Sequence, residues 1–61
     1  MAQQFEDMLT IAEVAGLLKV SAKTVRRWLD SKQLVGHRLG RQWRISKDDL
    51  RTFVRARRQS Q

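Results

Sequence analysis

Sixty-one residues with no cysteine, no proline and one histidine describe a single small domain that has neither a disulfide nor a clustered metal site to staple it. Lys and Arg total 13 against 6 Asp and Glu, for a formal net charge of +7. No apolar run approaches the roughly 20 residues of a membrane span, and the N-terminus lacks the pattern of a signal peptide, so a soluble, cytoplasmic chain is expected.

The charge is unevenly placed. Residues 1–18 carry Glu6, Asp7 and Glu13 and no base, whereas all thirteen bases lie from Lys19 onward, beside only Asp30, Asp48 and Asp49. Basicity confined to one stretch of a small domain is the footprint of a polyanionic partner. A solvated, solubilising face is the plainer explanation, and charge alone leaves both open.

Three helix starts share one local pattern: an apolar residue, a hydroxyl residue at the N-cap, then an amphipathic run. Leu9-Thr10 precedes Ile11, Val20-Ser21 precedes Ala22, and Ile45-Ser46 precedes Lys47. The hydroxyl accepts from an otherwise unpaired N–H of the first turn, and the preceding apolar side chain packs on the residue four positions into the helix. Glu13 completes a capping box with Thr10, and Asp49 occupies the matching position of the third helix. The inward stripes are Ile11, Val14, Ala15 and Leu18, then Ala22, Val25 and Leu29, then Leu50, Phe53 and Val54.

Between the second and third helices the period changes to two, which reads as a hairpin turning at Gly40-Arg41-Gln42. A three-residue loop pairs Leu39 with Trp43, His37 with Ile45 and Arg38 with Arg44. It gives one apolar and one basic face, and is preferred to a two-residue loop that mixes them. The expected architecture is α+β, mostly α: helix–turn–helix, β-hairpin wing, helix. The domain is expected over residues 8–57, with 1–7 and 58–61 as flexible tails.

The short link between the first two helices makes the second a candidate DNA-reading helix. With Val25 and Leu29 inward, Lys23 and Arg27 lie opposite, Thr24 and Arg26 lie on the flanks, and Ser21 at the helix start offers a phosphate contact. Arginine on such a face suits guanine O6 and N7. In the hairpin, Arg38, Arg41 and Arg44 are expected at the solvent side or tip, with Gln42 beside them. An Arg38–Arg44 cross-strand pair would repel itself, which suits a phosphate site better than a structural one.

Other residues point elsewhere. His37 has no second ligand to share a metal, so it is expected to be partly buried or next to phosphate. Asp48-Asp49 suits capping rather than acid–base work, Trp28 and Trp43 suit the core, and Arg51, Arg55, Arg57 and Arg58 suit a solvated face. No nucleophile–base pair or phosphate loop is present, so neither an enzymatic role nor a cofactor is expected.

These residues also carry a resemblance. Thr10-Ile11-Ala12-Glu13-Val14-Ala15, Val20-Ser21 with Thr24-Val25-Arg26-Arg27-Trp28, Arg38-Leu39-Gly40-Arg41-Gln42-Trp43-Arg44-Ile45, and Asp49-Leu50 with Phe53 resemble the excisionase and MerR-like winged helix-turn-helix family, over roughly residues 8–55. The resemblance implies a bacterial or phage protein that binds double-stranded DNA. Its second helix would read bases through Lys23, Thr24, Arg26 and Arg27, and its wing would hold backbone or minor groove through Arg38, Arg41 and Arg44. Lys19 and Lys32 depart from it, because the family commonly has glycine at both places.

No long dimerising helix follows Phe53, so neighbouring copies side by side on repeated sites are expected. That is the working mode of an excisionase, which bends attachment-site DNA for an integrase. A small MerR-like transcriptional regulator is the alternative, and a basic protein-docking module a more distant one.

Overall fold

The computed structural model describes residues 8–59. Of the tails expected at 1–7 and 58–61, residues 1–7 and 60–61 lie outside the described residues, whereas 58 and 59 continue the last helix instead of beginning a tail. In chain order the elements are β1 (Met8–Leu9), α1 (Ile11–Leu18), α2 (Ala22–Asp30), β2 (His37–Leu39), β3 (Gln42–Ser46) and α3 (Lys47–Gln59).

All three helices start at their expected caps. Thr10 Oγ1 accepts from the Glu13 N–H at 3.1 Å while Glu13 Oε1 accepts from the Thr10 N–H at 2.9 Å, a reciprocal capping box. Ser21 Oγ accepts from the Thr24 N–H at 3.1 Å, and Ser46 Oγ accepts from the Asp49 N–H at 3.0 Å. Where α1 and α2 end, the chain turns through left-handed backbone without glycine. Lys19, at φ 58, caps α1 as its N–H and that of Val20 converge on the Ala15 carbonyl. Lys32, at φ 66, follows α2, and the Gln33 and Leu34 N–H groups then both reach the Trp28 carbonyl. A side chain in this conformation costs about 1–2 kcal/mol.

The core joins Val14 and Ala15 of α1, Val25 and Leu29 of α2, Leu34 of the connecting segment, Ile45 of β3, and Leu50 and Phe53 of α3. Ala22, expected inward, is exposed; half-buried Val20 packs on the core beside the start of α2 instead. Trp28 and Trp43 are half-buried against the core. Trp28 meets Phe53 with ring centroids 4.9 Å apart, and the Arg57 guanidinium covers both rings at 5.0 and 4.9 Å. Arg57 also donates to Gln33 Oε1 at 3.4 Å. It is therefore not merely part of a solvated face: it roofs the aromatic pair and ties α3 to the segment after α2.

The three strands form one antiparallel sheet in the order β1-β3-β2. β1 was not legible as a strand. It pairs Met8 with Ser46 and Leu9 with Ile45, so the residue expected only to staple α1 also extends the sheet.

The hairpin register differs from the expected one. His37 pairs with Arg44, Arg38 with Trp43 and Leu39 with Gln42, around a two-residue loop of Gly40 and Arg41. Turn chemistry and packing together override the face-sorting argument. Gly40 has φ 65 at the first central position, where a type II′ turn requires positive φ. Gly36 turns toward the core, and a Cβ there would lie 2.6 Å from Leu29 Cδ2 and 3.2 Å from Trp43 Cε3. With glycine inside, the alternate residues Val35, His37 and Leu39 are exposed rather than packed on the helices. No Arg38–Arg44 pair exists; each arginine faces a different partner.

Candidate nucleic-acid interface

α2 buries Val25 and Leu29, and that choice sets what its other side presents. Lys23, Arg26 and Arg27 are exposed, as is Ser21 at the cap, while Thr24 is half-buried with its hydroxyl 3.0 Å from that of Ser21. Ser21 and Thr24 are thus engaged with each other and with the first turn. Lys23, Arg26 and Arg27 line one shallow depression with Asp30 and Ser31.

The wing places its cations in three ways. Arg41 sits exposed at the tip beside Gln42. The Arg38 guanidinium lies over the Trp43 ring, 5.6 Å from its centroid, so an aromatic platform sets its direction. Arg44 is half-buried and its Nη1 donates to the Trp43 carbonyl at 3.1 Å. His37 is exposed, not partly buried, with Nε2 4.0 Å from Asp49 Oδ2.

A second depression joins the two halves. Its walls are Thr10, Ile11 and Ala12 at the start of α1, Arg26 of α2, and Arg41, Gln42, Trp43 and Arg44 of the hairpin. Arg26 borders both depressions, so the outer face of α2 runs into the wing without interruption. The sequence names Arg26 as a flank residue but not as this junction, because the junction depends on how the hairpin packs beside α1. The Trp43 platform was likewise hidden by the wrong register. Among the described residues, no carboxylate forms an ion pair with Lys23, Arg26, Arg27, Arg38, Arg41 or Arg44. Asp48 pairs instead with Arg51 at 3.1 Å and Asp49 faces His37, while Asp30 borders the α2 depression without an ion pair.

Two capped helices at a tight turn, a third helix behind them and a basic hairpin alongside define a winged helix-turn-helix domain of the DNA-binding class. The chain belongs to the helix-turn-helix domain family, whose model matches residues 8–58. It is 46% identical over 52 residues to the uncharacterized protein YvgK of Bacillus subtilis, which covers 85% of this chain and 17% of that protein. It is 43% identical over 51 residues to the transcriptional repressor DcmR of Methylorubrum extorquens, covering 80% of this chain and 19% of that protein. The chain therefore spans less than a fifth of the length of these relatives. No solved structure gives a significant match.

Proposed function

We propose that this chain is a sequence-specific double-stranded DNA-binding module. In this reading α2 enters the major groove and the wing holds the adjacent backbone or minor groove. The observation that carries it is the continuous cationic surface through Arg26, with its charges unpaired on both the helix and the wing. Lys23, Arg26 and Arg27 are the base-reading donors, and Ser21 and Thr24 order the first turn beside the phosphates. Arg41, Gln42 and Arg44 grip the wing side, and Arg38 reaches out from its aromatic seat. Such a module works on chromosomal DNA in the cytoplasm.

The two halves separate by mutation. Arg27→Ala should cost about 1–3 kcal/mol at a specific site and relax the sequence preference. Arg41→Ala should weaken all duplexes alike and flatten the plot of log affinity against log salt by about one. Fluorescence anisotropy with cognate and scrambled duplexes measures both. Unchanged duplex binding in both variants would move the basic face to another partner, such as an acidic protein surface.

Transcription control is the favoured role, supported by the 43% identity to a protein named as a repressor. Footprinting over flanking DNA checks it, and protection of one promoter-proximal operator is the expected result. A ladder of protected direct repeats beside an integrase attachment site would assign the excisionase role instead, with neighbouring copies and an integrase as partners.

A further inference from the structure

We infer that Lys19 and Lys32 are DNA-backbone contacts set just beyond the two ends of α2. The inference rests on the DNA-binding reading and extends its contact set to two residues outside the recognition face and the wing.

The starting observation is conformational. Three described residues have positive φ: Gly40 at 65, Lys19 at 58 and Lys32 at 66. At the hairpin tip the chain uses glycine, which tolerates this backbone without strain. At the ends of α1 and α2 it uses lysine, which does not. A cation beside a helix C-terminus complements the helix dipole, but by less than the left-handed backbone costs. Both lysines are exposed, and neither side chain makes a hydrogen bond or an ion pair. The backbone N–H groups that cap the helices would be supplied equally by glycine. What lysine adds at these two positions is a cation on a long flexible stem, suited to phosphate as a point charge. Backbone strain kept beyond its structural return is a recurrent mark of functional positions.

Placement agrees. Lys19 lies two residues before the Ser21 cap, and Lys32 two residues after Asp30, the last residue of α2. A helix is about 10–12 Å across with its side chains and the major groove about 12 Å wide, so the nine residues of α2 lie along the groove. Cations beside its two ends are then within reach of the flanking phosphates, while Lys23, Arg26 and Arg27 face the bases.

The test uses the 61-residue chain with Lys19→Gly, Lys32→Gly, the double variant, and Lys→Arg at each site. Melting temperature is measured by circular dichroism, and binding to a mixed-sequence duplex between about 50 and 200 mM salt. Each glycine is expected to raise the Tm by several degrees, the relief of backbone strain outweighing the extra freedom glycine gives the unfolded chain. Each should also weaken binding several-fold at low salt and flatten the salt slope by about 0.9. Arginine should keep the parent Tm and slope. This opposition of sign is the signature, since a purely structural role would move stability and binding together. Glycine variants that bind with the parent's affinity and slope would overturn the inference, as would variants that lose Tm and binding in parallel. Failure of the parent to bind the duplex at all would instead remove the DNA reading, and this inference with it.

Discussion

Leu34→Ala is expected to lower the unfolding free energy by about 2–5 kcal/mol. That is a large share of the roughly 3–9 kcal/mol available to a domain of this size. Leu34 is 1% exposed and sits in the core with Val14, Val25 and Ile45. It enters from the segment after α2, with its N–H held by the Trp28 carbonyl at 3.2 Å. Because that backbone is fixed by the left-handed turn at Lys32, the segment collapses poorly into the space left by the missing side chain. The upper half of the range is therefore expected. Urea denaturation checks it: the midpoint should fall sharply with the slope unchanged. A loss below about 1 kcal/mol would mean that the segment after α2 relaxes freely, and that Leu34 does not anchor the wing.

Leu34 also marks where legibility in the sequence stops. The helices were readable because each is announced by a local signal: a hydroxyl cap, an apolar residue before it and a 3.6-residue stripe. Those signals placed the caps Thr10, Ser21 and Ser46, and most of the core. Leu34 lies in a segment with neither helical nor strand period, so no periodic argument reaches it. β1 is two residues long and exists only because β3 offers it an edge. The site divided the same way. Lys23, Arg26 and Arg27 follow from the helical wheel of α2, a local property. The positions of Arg38 and Arg44 depend on hairpin register, which turn geometry and the packing of Gly36 decide. Sorting residues into an apolar and a basic face chose the wrong register, because it let Val35, His37 and Leu39 outweigh one glycine. A glycine inside a strand pattern is the signal for close approach of another group, and here that group is Leu29.

Gly36→Val should cost about 3 kcal/mol, near the upper end of ordinary overpacking, and should weaken DNA binding beyond the loss of folded protein. Even the first added carbon would meet Leu29 Cδ2 at 2.6 Å, with Trp43 Cε3 at 3.2 Å and Ile45 Cγ1 at 3.5 Å close behind. Leu29 is 4% exposed and Ile45 fully buried, so neither has free space to retreat into. The side most able to yield is the hairpin, which carries Arg38, Arg41 and Arg44 and borders the depression shared with Arg26. Moving it outward separates the wing cations from α2. A paired substitution locates the strain. Leu29→Val, which removes the obstructing δ-methyl, should itself cost about 1 kcal/mol. Gly36→Ala alone should cost about 1–2 kcal/mol and become nearly neutral in that background, giving a coupling of the same size in a double-mutant cycle. Additive costs would place the strain in the backbone of the hairpin entry instead. A coupled pair whose double variant also regains wing-dependent binding would tie the seating of the hairpin on Leu29 directly to the geometry of the DNA-facing surface.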